Sequence, residues 1–189
     1  MVIIGHGPSP KGCLWGAKID EHAVIRLKNP EWQNVKDYGK RVDYLVSSTE
    51  TLLVMLDYKR VPIEYWGQPK RGNWNSTTEN TFKGRAKAPL KIPIDVHNRW
   101  NPVFRSLSDK TEMECPNHSL GMAAITYACE FLKPEEILLL GFDNLLDPAR
   151  LDYEKADKGK WPSRHDWFAE NRMLPLIEKE YGLTIHGFR

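Results

Sequence analysis

Cysteine is scarce in this chain of 189 residues, which has only Cys13, Cys115 and Cys129. The odd count and the absence of close pairs argue against a disulfide framework and favour a reducing compartment. The sequence lacks CxxC and HExxH patterns, so it gives no indication of zinc. It also lacks a signal-peptide pattern and an apolar run of membrane-spanning length. We therefore expect a cytoplasmic protein with no membrane span.

An excess of charge of one sign is equally lacking. Lys and Arg number 27 against 25 Asp and Glu, so the net charge is +2. A charge this small does not by itself favour nucleic acid as a partner. The hydrophobic fraction of 41% and the charged fraction of 28% are typical of globular proteins. A chain of this length can bury a sizeable core, and we expect one domain over residues 1–189.

The first informative stretch begins with Val2–Ile4, which has the apolar character of a buried parallel strand. It ends in the small-residue sequence GHGPS at 5–9, whose glycines allow a ligand to approach the backbone amides. The same pattern also fits a tight turn that binds nothing. A second β-branched run, at 22–27, leads into Asn29. Because ligands of open α/β sheets lie beyond the carboxyl ends of strands, three side chains are expected to face one crevice: His6, Ser9 and Asn29.

The later apolar runs predict five more strands, at 42–48, 60–66, 90–96, 137–140 and 183–185. Asn117 or Ser119 is expected to cap a helix that runs to about Leu132, whereas 98–114 is predicted to be irregular or short helical. A final helix opens within 162–170, with an expected apolar face of Phe168, Met173, Leu176, Ile177 and Tyr181. This order predicts an α/β fold: a Rossmann-like, mostly parallel sheet with helices on both faces.

Two long polar stretches, 68–89 and 144–163, are predicted to be surface loops of the length found in lids and acceptor-binding loops. The first carries basic and aromatic residues of the kind that grip a nucleic-acid strand: Lys70, Arg71, Trp74, Phe82, Lys83, Arg85 and Lys87. Glu79 and many neutral residues dilute this charge. A solvated loop or an acceptor-site lid is therefore favoured over a nucleic-acid interface.

Three blocks of sequence, in this order, resemble the motifs of the sialyltransferases. The first is similar to the long motif and comprises GHGPSPKG at 5–12, IDEH at 19–22 and RLKN at 26–29, followed by DYGKR at 37–41. The second resembles the short motif, with HSLG at 118–121 and LGFD at 140–143. The third, His165-x4-Glu170, is similar to the very short motif. Together the blocks span nearly the whole chain.

The resemblance implies a metal-independent, inverting glycosyltransferase that uses a CMP-activated sugar and no other cofactor. It resembles a minimal bacterial or viral version of the family, and its acceptor is an unidentified glycan or small molecule. His165 is the implied catalytic base, a role that suits an imidazole, and Glu170 a supporting residue. The residues implied in donor binding are Gly5, His6, Gly7, Ser9, Asn29, Ser119, Leu120, Gly121 and Tyr153.

Two of these residues depart from the family pattern. His6 stands where the family has asparagine, and Leu120 replaces the polar residue of its Ser-Thr-Gly. These departures leave the donor sugar open. They also leave room for a non-catalytic nucleotide-binding module of the same fold, beside the nucleic-acid binder or modifier that the 68–89 loop suggests.

Overall fold

One sheet of parallel strands organises the computed structural model, which describes residues 1–27, 34–48, 64–68, 89–91, 94–115, 117–148 and 165–188. Within these residues the order of the seven strands is β5-β4-β3-β2-β1-β6-β7, and every neighbouring pair is parallel. The strands are β1 Val2–Ile4, β2 Val24–Leu27, β3 Tyr44–Ser48, β4 Glu64–Gln68, β5 Pro89–Lys91, β6 Glu136–Leu140 and β7 Thr184–Gly187. The predicted parallel α/β sheet is confirmed.

Helices cover both faces of this sheet. They are α1 Gly16–Ile19, α2 Val35–Tyr38, α3 Ile94–Leu107, α4 Leu120–Tyr127, α5 Asp143–Leu146 and α6 Trp167–Tyr181, and a π-helical turn, Ala128–Leu132, extends α4. Ile3 packs in the core cluster that α3, α4 and α6 share, whereas Val2 and Ile4 pack with α1 and α2. Alternate residues of β1 thus serve opposite layers, as the pleat of a strand requires.

The region before the second block differs from the prediction. We expected a strand over 90–96 and irregular or short helical structure over 98–114, but the strand β5 ends at Lys91 and one helix of fourteen residues, α3, runs from Ile94 to Leu107. Val96, Trp100 and Phe104 recur every four residues and are buried, which is the spacing of one helix face. Polar residues and Pro102 between them obscured this period in the sequence.

The buried face of α6 also differs from the prediction. Phe168 and Leu176 are 57% and 43% exposed. Met173 and Ile177 are buried as predicted, and the rest of the buried stripe consists of Ala169, Glu170 and Leu174. An apolar count cannot find the whole stripe, because one of its members is a carboxylate. One of the two predicted caps, Ser119, does cap α4. The helix α6 ends at Gly182, which has a left-handed φ of 67°.

Of the two predicted loops, 68–89 and 144–163, residues 69–88 and 149–163 lie outside the described residues, so the proposed lid, acceptor and nucleic-acid roles stay predictions. At the start of the second loop, the helical turn α5 occupies positions expected to be irregular. In the portion of the chain that is described, no helix is both long and apolar enough to cross a bilayer.

The strand order reverses between β1 and β6. From β1 the chain builds outward through β2, β3, β4 and β5, and then returns to place β6 and β7 on the other side. At such a switch point the connections leave the sheet in opposite directions and open a crevice beyond the carboxyl ends of the two strands. The carboxyl ends of β1 and β6 therefore mark where a ligand would bind.

A buried arginine holds the first block together. Arg26, 1% exposed, donates from Nε to the Arg41 carbonyl at 2.9 Å and from one terminal nitrogen to the Tyr38 and Gly39 carbonyls, both at 2.8 Å. Burial lowers the pKa of Arg26 to about 10, an effect that the Asp20 charge opposes, so the guanidinium stays charged at neutral pH. It thus ties β2 to the 38–41 segment.

Replacement of this arginine should destabilise the fold. We expect Arg26→Leu to lower the free energy of unfolding by about 3 kcal/mol or more, because buried carbonyls lose their donors. Arg99→Leu is the matched control, since Arg99 is about half exposed (47%) in its ion pairs with Glu130 and Glu180 and should change stability by less than about 1 kcal/mol. Equal urea midpoints for the two variants would contradict this account.

Candidate functional site

The glycine turn that follows β1 lies directly against the end of β6. The Gly5 amide donates to the Leu140 carbonyl at 2.7 Å, and the Gly7 amide donates to the Gly141 carbonyl at 2.7 Å. A Cβ on Gly5 would lie 2.5 Å from the Gly141 oxygen. Close backbone contact between two sequence blocks therefore requires glycine here, independently of any ligand.

Asp143, which follows this contact, is a site residue that the sequence reasoning missed. A Cβ on Gly7 would lie 1.8 Å from its Oδ2 atom, and the Ser9 amide donates to the same oxygen at 3.4 Å. The Asp143 carboxylate thus covers one side of the turn. Its place directly after the Gly141-Phe142 strand end was the available signal, because side chains there face the crevice.

His6 connects the turn to the end of β2. Its Nε2 atom lies 2.9 Å from the Leu27 carbonyl oxygen, and a carbonyl can only accept, so Nε2 carries the hydrogen. His6 and Ser9 thus lie in one turn at the carboxyl ends of β1 and β2. The third residue of the predicted group, Asn29, lies outside the described residues.

The helix α2 and the residues that follow it hold the other side of the turn. The Tyr38 hydroxyl donates to the Gly7 carbonyl at 3.3 Å, and the Leu14 amide donates to Asp37 Oδ1 at 3.1 Å. Asp20 accepts from the Lys40 and Arg41 amides at 2.9 and 2.8 Å. The pieces of the first block are therefore bonded to one another, although up to thirty-one positions separate them.

The amino end of α4 brings the second and third blocks together. The Ser119 amide donates to Glu170 Oε1 and the Ser119 hydroxyl to Oε2, both at 2.7 Å. The same hydroxyl accepts from the Met122 amide at 3.2 Å and so caps α4. Ser119 is one of the residues implied in binding the sugar donor. Its amide and its hydroxyl are thus already hydrogen-bonded to Glu170.

The α4 helix also packs on the end of β6. A Cβ on Gly121 would lie 2.8 Å from a ring carbon of Phe142. His118, buried just before the helix, packs edge-on against Phe104 of α3 at a ring separation of 6.3 Å. The residues predicted for donor binding, Ser119, Leu120 and Gly121, therefore lie beside the strand end that contacts the glycine turn.

Glu170 is completely buried in this joint. Burial raises the pKa of Glu170 to about 7; the hydrogen bonds from Ser119 oppose this rise, and the nearby Asp166 charge adds to it. Near neutral pH the carboxyl therefore titrates while it holds α4 and α6 together.

His165 lies two residues before α6. Its ring stacks on Trp167, with centroids 4.6 Å apart and planes 26° apart, and its carbonyl accepts from Lys110 Nζ at 2.6 Å. Asp166 caps α6 by accepting from the Ala169 amide at 3.0 Å, and it also accepts from the Ser108 hydroxyl at 2.7 Å. These contacts attach the third block to the segment after α3.

Asp166 is the second buried carboxylate of this region. Burial acts to raise its pKa, but the hydrogen bonds from Ala169 and Ser108 and the charge of Lys110 outweigh burial, so the pKa of Asp166 lies below its usual value. Two carboxyls one helical turn apart thus titrate in different ranges, with Asp166 ionised throughout the neutral range.

A continuous chain of contacts links the three blocks. It leads from the glycine turn to Gly141-Phe142, from Phe142 to Gly121, and from Ser119 to Glu170, on the helix that His165 precedes. Tyr153 lies outside the described residues. Among the residues that the structure does describe, no three His, Cys, Asp or Glu side chains group in a way that could hold a metal ion.

Addition of one methyl group at Gly7 tests the turn. Gly7→Ala should lower the free energy of unfolding by about 2 kcal/mol, because the new Cβ would overlap the Asp143 carboxylate and lie 2.7 Å from the Gly141 carbonyl. Gly12→Ala is the control, because Gly12 has open space around it and a φ of 81°, so it should cost only about 1 kcal/mol of backbone strain. If Gly7→Ala unfolds at the same urea concentration as the wild type, the close contact is wrong.

The high pKa of Glu170 makes stability depend on pH. The folded state holds this proton up to about pH 7, whereas the unfolded state releases it near its ordinary value of 4.5, so the stabilisation is present at low pH and is lost as the pH rises towards 7. This loss is about 3 kcal/mol. Glu170→Gln should abolish it, so that the variant loses less stability than the wild type when urea unfolding is compared at about pH 5 and pH 8. Parallel pH profiles for the two proteins would contradict the assignment.

Comparisons with known proteins find similar folds among solved structures. No family model and no curated protein matches the chain. Among solved structures, it is similar to an apo α-2,3-sialyltransferase from Campylobacter jejuni, at a TM-score of 0.63 and 17% identity, covering 98% of this chain and 74% of that one. A mammalian sialyltransferase in complex with Gal-β-1-3GalNAc-ortho-nitrophenol matches at a TM-score of 0.63 and 17% identity over 100% of this chain and 69% of that one.

A third similar structure is the sialyltransferase CstII from Campylobacter jejuni in complex with a substrate analogue, cytidine-5'-monophosphate. It matches at a TM-score of 0.54 and 17% identity over 97% of this chain and 76% of that one. At these identities the likeness concerns the fold. The chain therefore has the Rossmann-like α/β fold found in sialyltransferases.

Proposed function

We propose that this protein is a metal-independent, inverting glycosyltransferase that transfers a sugar from a CMP-activated donor. The observation that carries the proposal is the chain of contacts from the glycine turn through Phe142 and Ser119 to Glu170. It joins three sequence blocks that resemble sialyltransferase motifs, at the switch point of a sheet with the fold of those enzymes.

The donor would occupy the crevice beyond the carboxyl ends of β1 and β6. The turn residues Gly5, His6, Gly7 and Ser9 form one wall, and the amino end of α4 forms the other. Leu120 and Gly121 lie in the first turn of α4, where backbone amides and the helix dipole favour an anion such as the CMP phosphate. Asn29 and Tyr153 complete the proposed donor-binding set from the stretches outside the described residues.

In this mechanism His165 is the general base. Its imidazole takes the proton of the acceptor hydroxyl as that oxygen bonds to the anomeric carbon of the sugar. The bond from this carbon to the CMP phosphate oxygen breaks on the opposite face, so the configuration inverts and CMP leaves with the bonding electrons. Glu170 takes no part in these bond changes; it fixes α4 relative to the helix that follows the base.

Removal of the base tests the enzyme directly. His165→Ala should lower turnover of CMP-sugar, measured as CMP release, on the order of 10²- to 10⁴-fold. Binding of CMP, measured by thermal shift, should stay at the wild-type level, because ligand binding to the folded state raises its stability whether or not turnover occurs. His186→Ala is the matched control, since His186 is exposed and paired with Glu136 on β6. Full turnover in His165→Ala would remove that residue from the base role.

The same measurements separate a second candidate, a non-catalytic nucleotide-binding module. Two donors of Ser119 are bound to Glu170, which favours this candidate because they are then withheld from the reacting phosphate. Such a module would bind CMP but release none from CMP-sugars, in the wild type as in the variants. A wild type that neither binds CMP nor turns over a CMP-sugar would contradict both functions.

A further inference from the structure

The segment 107–110, which begins at the last residue of α3, contacts the start of α6. The Leu107 carbonyl accepts from the guanidinium of Arg172, which also lies 3.6 Å from the Asp109 carboxylate. Ser108 donates its hydroxyl hydrogen to Asp166 at 2.7 Å. These contacts attach the segment to the first two turns of α6. None of them involves the side chain of Lys110, the last residue of the segment.

Lys110 makes a different contact in the same segment. Its ammonium group donates to the carbonyl oxygen of His165 at 2.6 Å, and its own amide donates to the Ser108 hydroxyl oxygen at 3.2 Å. The Ser108 hydroxyl therefore receives from Lys110 while it donates to Asp166. The Lys110 ammonium thus bonds to the backbone of His165, the proposed base, from a segment that Leu107 and Ser108 already hold on α6.

The bond from Lys110 to the His165 carbonyl matters because His165 lies outside the regular helix. Asp166 is the cap of α6 and Trp167 its first helical residue, so His165 precedes the helix, where the regular helical hydrogen bonds do not fix the peptide plane. The bond from Lys110 to the His165 carbonyl fixes the orientation of the peptide between His165 and Asp166. Stacking on Trp167 then fixes the ring itself.

We propose that Lys110 is a positioning residue for the imidazole of His165. The inference rests on the proposed function, in which His165 removes a proton from the acceptor. Lys110 touches neither donor nor acceptor in this account. It holds the backbone on which the base is mounted, and a displacement of about 1 Å at a reacting group can cost on the order of 10²-fold in rate.

The contacts of Arg172 and Ser108 distinguish positioning from general stability. They keep the 107–110 segment on α6 when the Lys110 ammonium is removed, so the protein should still fold. Lys110→Met keeps most of the side-chain length and loses the donor, whereas Lys110→Arg keeps a donor. Lys179→Met is the matched control, because Lys179 is exposed and lies near the other end of the same helix.

The first measurement needs no activity. In the wild-type NMR spectrum we expect the ring current of Trp167 to displace the Hε1 resonance of His165, which the variant His165→Gln assigns among the six histidines. We expect this resonance to move towards the position of an exposed histidine in Lys110→Met, and to stay in place in Lys110→Arg and Lys179→Met. An unmoved resonance in Lys110→Met overturns the inference.

The second measurement is turnover of CMP-sugar. Lys110→Met should lower kcat on the order of 10-fold while the Kd for CMP stays within about twofold, and Lys110→Arg should recover most of the loss. A displaced imidazole with undiminished kcat also overturns the inference. If the wild type neither binds CMP nor transfers sugar, the proposed function fails, and the NMR comparison still decides whether Lys110 places the imidazole.

Discussion

The backbones of β1 and β6 come so close beyond their last residues that no side chain fits between them. The amides of Gly5 and Gly7 bond to the carbonyls of Leu140 and Gly141, and each glycine would place a Cβ against an oxygen atom. This contact fixes where the first turn lies, and it fixes the position of Phe142. Because α4 packs on that ring through Gly121, the whole candidate site inherits its geometry from two adjacent strand ends.

Buried polar side chains provide further hydrogen bonds between separate segments of the candidate site. Arg26 holds the 38–41 segment by its carbonyls, and Glu170 holds the amino end of α4 by Ser119. Both residues belong to the blocks that resemble sialyltransferase motifs, yet their contacts are internal. A resemblance at these two positions therefore indicates a shared fold rather than a shared function, because a buried charge or carboxyl requires hydrogen-bond partners in any protein.

The sequence was informative where one physical signal dominated. The apolar runs at β1, β2 and β6 predicted buried parallel strands to within two residues, because burial on both faces leaves no polar alternation. Ser119 was one of the two caps predicted for α4, beside Asn117, because both side chains can accept from the free amides at a helix start. The start and the full length of α3 were missed, because Pro102 and its polar neighbours hide a four-residue period.

Contacts between residues that are far apart along the chain could not be predicted from the sequence. The offset stripe of α6 depends on Glu170 finding Ser119, fifty-one positions away. Asp143 at the glycine turn and Lys110 at His165 are likewise defined by partners far along the chain. Apolar spacing carries no record of such pairs, since each side chain alone would be read as part of a solvated surface. The candidate site was therefore predicted as a set of blocks, and its internal bonding was not.

The carboxyl at the junction of α4 and α6 has one more consequence. Since the pKa of Glu170 is about 7, the neutral and the charged form of this carboxyl coexist near neutrality. They differ by one negative charge at the amino end of α4, the end that favours anions. An anion bound there disfavours the charged state and draws a proton from solution. Occupancy of the proposed donor site by an anion would thereby be linked to proton uptake, which calorimetry in buffers of different ionisation enthalpy would register as a buffer-dependent heat.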